Sequence, residues 1–176
     1  MGGSTPSAGL AEALAARAQA MAKLGRSADA RNALEVLTET FIRLPDRVVD
    51  DKDSMYGWPE QRLWHSASYV LTELGESPGA YDAQSRALAL IPATYPRRRA
   101  KVQLHRARSL VHEGHIDDGV THAQQIIDAL PVPDRSALIL GLGHRVLDHV
   151  PRNDRARSSV RGLREVLSLP TGPAPH

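Results

Sequence analysis

Trp64 to Pro92 reads W-H-S-A-S-Y-V-L-T-E-L-G-E-S-P-G-A-Y-D-A-Q-S-R-A-L-A-L-I-P. Apolar residues recur at helical spacing on both sides of Gly75, and Pro92 closes the stretch, so it parses as two short amphipathic helices joined at a glycine. A hairpin of this kind cannot bury its apolar face alone and must stack on neighbours of the same build.

The rest of the chain supplies them. Helices are expected from about Leu10 to Leu24 and Ser27 to Leu44, broken by Gly25 and ended by Pro45. The central pair runs from Glu60 to Leu74 and Pro78 to Ile91. A third pair follows the Arg97, Arg98, Arg99 run, breaks at Gly114 and ends before Pro131. Asp134 is the expected N-cap of a helix from Arg135 to His149, and Asn153 or Asp154 that of a last helix reaching Leu167. The expected fold class is all-α, a right-handed superhelical stack of about four hairpins and about eight helices. It forms one domain over residues 10–168. Residues 45–59 read as an inserted loop, with Trp58 and Tyr56 packing down as an anchor. Residues 1–9 and 169–176 read as disordered by composition.

Composition narrows the function. With 176 residues the chain can bury a core without staples, and it has no cysteine for disulfides or thiolate metal sites. No apolar run reaches membrane-span length and the first residues lack a signal-peptide pattern, so a cytoplasmic protein with no membrane partner is expected. A formal charge of +2 is small, and the arginines read mainly as a solvated helical surface.

Aligned at their turns, the hairpins repeat. Trp64, Gly75, Ala80, Ala87 and Pro92 match the tetratricopeptide pattern, Trp64 filling the gap between successive hairpins and the alanines lying at close helix crossings. Ala107, Leu110, Gly114 and Pro131 recur in the next unit with Gly119 in the Ala80 place, and Ala18, Met21, Gly25 and Ala30 in the first. More narrowly, W-x-x-x-S-x-x-x-x-x-L-G-E, R-A-K-V-Q-L-H-R-A-R-S-L-V-H-E-G-H-I-D-D-G and V-R-G-L-R-E-V-L resemble the C-terminal tetratricopeptide region of actinobacterial helix-turn-helix transcription regulators. The resemblance covers about Trp58 to Leu167. It implies a non-catalytic sensor or interaction region that takes a peptide, a small effector or a partner protein in a concave groove. The family's DNA-binding helix-turn-helix has no counterpart here, so direct DNA binding is not expected. The alternative is a scaffold acting by self-association, for instance as a homodimer.

On the family's pattern the groove is lined by Glu12 and Gln19, by Arg62, His65, Tyr69 and Glu73, by Lys101, Arg108 and His112, and by Arg145 and His149. Tyr69, Arg108 and Arg145 share one offset and are expected to form a row suited to a carboxylate or an extended backbone. His112, Glu113 and His115 spell H-E-G-H, one residue short of the zinc-peptidase motif, and Gly114 breaks the helix between the histidines, so no metal is assigned. The Asp50, Asp51, Asp53 cluster lacks the EF-hand spacing. Gly141-Leu142-Gly143 follows no strand and reads as a close helix crossing. No cofactor and no catalytic constellation is expected.

Overall fold

In the computed structural model, residues 6–52, 54 and 56–168 are described. Asp53, the first five residues and the tail 169–176 lie outside them, and so do the readings made of those positions. Among the described residues the chain is all-α: α1 (Ala8–Lys23), α2 (Ser27–Ile42), α3 (Asp46–Val49), α4 (Glu60–Leu74), α5 (Ser77–Leu90), α6 (Pro96–His112), α7 (Ile116–Ala129), α8 (Ala137–Asp148) and α9 (Ser158–Ser168). The chain divides into two compact units, Met1–Leu90 and Ile91–His176.

Three hairpins, α1/α2, α4/α5 and α6/α7, close through one device. Gly25, Gly75 and Gly114 have φ of 71°, 71° and 90°, a left-handed conformation that side chains disfavour. In each, the residue after the glycine donates its N–H to a carbonyl five residues back: Arg26 to Met21, Glu76 to Leu71 and His115 to Leu110, all at 2.9 Å. The glycine itself donates to the third residue back, completing a Schellman turn. The residue after the glycine then opens the next helix, its carbonyl accepting at 2.9 Å from Ala30, Ala80 and Gly119 respectively.

The small residues follow the same register. Ala18, Ser68 and Ala107, seven residues before each glycine, are fully buried, as are Ala30 and Ala80 five residues after it. At the third hairpin the crossing is tighter. A Cβ on Gly119 would stand 2.6 Å from the Ala107 carbonyl oxygen and 2.7 Å from Val111 Cγ2, so that position has no room for a methyl.

Within each unit the next long helix lies against both helices of the hairpin before it. In the first, α4 packs on α1 and α2, and in the second, α8 packs on α6 and α7 while α9 covers α7 and α8. The first unit's core holds Ala11, Ala15, Leu37, Leu44, Trp58 and Leu63, with an alanine-rich cluster of Ala18, Ala22, Ala30, Ala33 and Val70 beside it. The second unit's core is aliphatic and centres on Leu104, Val120, Ile127, Ile139, Val146 and Leu163. Gly143 makes the expected crossing, its Cα facing Leu167 and Ile127, whereas Gly141 faces open space.

Four of the helices are followed within two residues by an apolar residue and then proline, and those residues, Leu44, Ile91, Leu130 and Val150, are all buried. Proline ends each helix and cannot donate, so the preceding carbonyl needs another partner. Arginines supply it in the second unit: Arg99 donates to Ile91 at 2.7 Å, Arg135 to Leu130 at 3.0 Å and Arg155 to Val150 at 3.3 Å.

Several expectations are corrected. Asp134 and Asp154 cap no helix: each closes a 3-10 turn, donating its N–H to Pro131 and Pro151, and α8 and α9 start later, at Ala137 and Ser158. The 45–59 segment holds α3 and then folds back, Trp58 N–H donating to the Val48 carbonyl at 2.8 Å. Trp58 is buried, tilted on Phe41 at 6.0 Å, with its Nε1–H donating to Glu12 at 3.0 Å. Tyr56, expected beside it as an anchor, is instead 77% exposed. Trp64 packs against the same α1 and α2 cluster, less deeply than Trp58. It is half-buried, with its indole N–H on Glu60 and the Arg86 guanidinium 4.5 Å above its ring.

Two stability measurements follow. Gly119→Ala gains about 1 kcal/mol of helix propensity, yet the backbone oxygen it meets cannot rotate away, so overpacking of about 1–3 kcal/mol prevails. Urea denaturation should show net destabilisation. In the same assay Trp58→Ala should cost about 3–5 kcal/mol by cavity formation, and Trp64→Ala clearly less.

Candidate functional site

The expected groove residues fall into both units. In the first, α1 and α4 carry them on facing sides, and several pair with each other there. Arg62 Nη1 lies 3.5 Å from Glu12 Oε2, and Gln19 Nε2 donates to the Ser66 hydroxyl at 3.4 Å. Glu12 thus serves both Arg62 and the buried Trp58. It acts as a strut between α1 and the loop leading into α4. Tyr69 packs half-buried against the alanine cluster, and His65 and Glu73 are half-buried on the same helix.

In the second unit, four expected residues come together where α6 and α8 end. Arg108 is buried, and its Nη2 lies 3.0 Å from His149 Nε2. His149 Nδ1 lies 2.9 Å from the Arg145 carbonyl oxygen. A carbonyl can only accept, so Nδ1 carries the proton. Nε2 is then the acceptor for Arg108, and the imidazole is neutral. The His112 ring stands 6.4 Å from that of His149, and both are exposed. Of the expected row, Arg108 and Arg145 are therefore linked through His149, and Tyr69 belongs to the first unit.

The sequence explains this placement. His149 follows α8 directly, where the last carbonyls lack intrahelical donors, and its ring satisfies one of them. Arg108 lies four residues before His112, so both share one face of α6. The result is a guanidinium held in place by a neutral imidazole, with a second imidazole at the rim. Such donors suit an anionic group.

The H-E-G-H stretch is divided as expected. His112 ends α6, Gly114 takes φ 90° and His115 precedes α7. His122 on α7 is half-buried with Nε2 lacking a hydrogen-bond partner. Burial and, after it, the Arg106 charge hold its imidazole below its ordinary value.

One polar network lay outside the expectations. Asp117 at the start of α7 accepts from the Ser159 hydroxyl at 2.6 Å and from Arg157, which also reaches Asp154. These bonds hold the Asp117 carboxyl below the usual range, the Ser159 bond contributing most. The network ties α9 to α7. Its only sequence signal was an Arg-Ser-Ser run after Asp154, which spacing does not connect to Asp117.

Comparison with family models, with curated proteins and with solved structures finds no match to this chain.

The lowered His122 value has a definite sign. A histidine whose folded value lies below its unfolded 6.5 contributes stability that is complete above that pH and lost as pH falls through the folded value. Denaturation midpoints should therefore fall on acidification below pH 6.5, and His122→Gln should flatten that fall. An unchanged slope in the variant would remove His122 as its source.

Proposed function

We propose that the chain is a non-catalytic helical-repeat binding module that takes an acidic peptide terminus or a small anionic effector at the Arg108, His112, Arg145 and His149 cluster. One observation carries the repeat reading: a single Schellman-closed hairpin geometry occurs three times with small buried residues in the same register. Units of that kind stack side by side, as in a tetratricopeptide array. Consistent with it, α4 and α8 each lie against both helices of the preceding hairpin. The narrower reading, a sensor or interaction region of a transcription regulator, rests on the sequence resemblance.

The anion reading rests on the donors. Arg108 is buried and oriented by a neutral imidazole, and an incoming carboxylate is a stronger acceptor than that imidazole for the same N–H. Exposed His112 adds a second donor at the rim.

The test is calorimetry of the full chain against an acidic hexapeptide with a free C-terminal carboxylate and against its C-terminal amide. The free acid should bind at least about tenfold more tightly than the amide, a difference of about 1.4 kcal/mol. His112→Ala and Arg145→Ala should weaken only the free acid. Equal affinity for acid and amide, or no change in either variant, would remove the assignment.

A further inference from the structure

Two surface turns, one in each unit, carry crowded charge that their own surroundings leave uncompensated. On α2, Glu35 and Glu39 are exposed one helical turn apart. Val36, 38% exposed, and Ile42, 76% exposed, flank them. On α6, Arg97, Arg98 and Lys101 occupy the first turn and a half, beside Tyr95, which is 42% exposed and has the Arg98 guanidinium 4.6 Å over its ring.

Both arrangements oppose helix stability. Like charges four residues apart repel, and cations at a helix start face the positive end of the backbone dipole. Among the described residues no carboxylate pairs with Arg97, Arg98 or Lys101, and no cation pairs with Glu35 or Glu39. Arg43, four residues after Glu39, donates to the Glu39 backbone carbonyl instead. The Lys101 ammonium is held below its ordinary value by burial and then by Arg97 and Arg98. Neighbouring charges elsewhere are paired: Arg26 with Asp29, Arg31 with Glu76, Arg86 with Asp82, and Arg157 with Asp117 and Asp154. Charge that breaks the local rule without a local gain marks a surface with another use.

The two turns complement each other. Glu35 and Glu39 repeat at the same one-turn interval as Arg97 and Lys101, about 6 Å along a helix axis, and each pair has apolar side chains beside it. The imbalance runs through the whole chain: residues 1–90 hold nine Lys and Arg against twelve Asp and Glu, and residues 91–176 hold thirteen against eight. We infer that the partner of this surface is a second copy of the chain, the α2 face of one copy docking on the first turns of α6 in the next, with Val36 and Ile42 against Tyr95. The contact is of surface ion pairs and a small apolar patch, so it is weak and salt-dependent. It uses none of the Arg108, His112, Arg145 and His149 cluster.

Sedimentation equilibrium of the full chain across concentration tests it. At about 0.01 M salt the mean mass should rise with concentration, and at about 1 M, where the screening length is about 3 Å, it should return to that of one chain. Glu35→Lys/Glu39→Lys and Arg97→Glu/Lys101→Glu should each lose association while keeping the helical far-ultraviolet spectrum. Mixing the two reversed variants should restore it, because the reversed acidic face of one again meets an opposite charge on the other. Should either reversal unfold the chain, Glu39→Gln and Lys101→Gln replace the pair, each expected to weaken association. A wild type of single-chain mass throughout, reversals that associate as the wild type does, or a mixture that stays monomeric would overturn the inference. So would low-salt mass that disappears on nuclease treatment, which would make nucleic acid the occupant of the α6 turn.

Discussion

The left-handed glycine at the end of each hairpin's first helix is the constraint on which the rest of the structure depends. Because the turn is closed by two backbone hydrogen bonds, it fixes the register between the two helices before any side chain packs. Residues seven before and five after the glycine are thereby brought to the crossing. That is why they are alanine, serine or glycine and nothing larger. Gly119 is the extreme case, its backbone lying against the Ala107 carbonyl. Close approach of this kind lets a chain with one phenylalanine and two tryptophans bury its core with alanine and short aliphatics.

Much of the helix pattern was legible because it is local. Glycine turns, prolines and periodicity act within a few residues, so the long helices lie close to where spacing predicts them. Errors appear where a residue's role depends on a distant partner. Trp64 and Trp58 are equally apolar on paper, and only the return of the 45–59 segment onto α1 decides that Trp58 is the buried one. Asp134 and Asp154 have the chemistry of helix caps, but Pro131 and Pro151 start 3-10 turns that use the aspartates first, and the helices begin later.

The arginines show the same division. Composition suggests a solvated basic surface, and part of it is that. Arg99, Arg135 and Arg155, however, finish the buried helix ends before Pro92, Pro131 and Pro151, each donating to a carbonyl that has lost its next N–H. Arg157 locks α9 to α7 through Asp117. An arginine supplies several donors on a long arm, so it can cap a chain end that a hydroxyl or amide would not reach.

The candidate site was read from offsets, and offsets convey position without partners. They placed Arg108 and Arg145 one repeat apart, and both are linked through His149. They gave no warning that Arg62 and Glu12 adjoin each other or that Tyr69 is half-buried against alanines. The difference is physical. In the first unit the facing helices bring acid and base together, and the charges are spent on each other. In the second, α6 and α8 bring the Arg108 guanidinium onto His149, whose other ring nitrogen lies on the Arg145 backbone carbonyl. That histidine, with its proton on Nδ1, stays neutral and accepts from Arg108 at Nε2. Under the proposed function, an incoming carboxylate competes with that imidazole for the Arg108 N–H, and it is the stronger acceptor of the two.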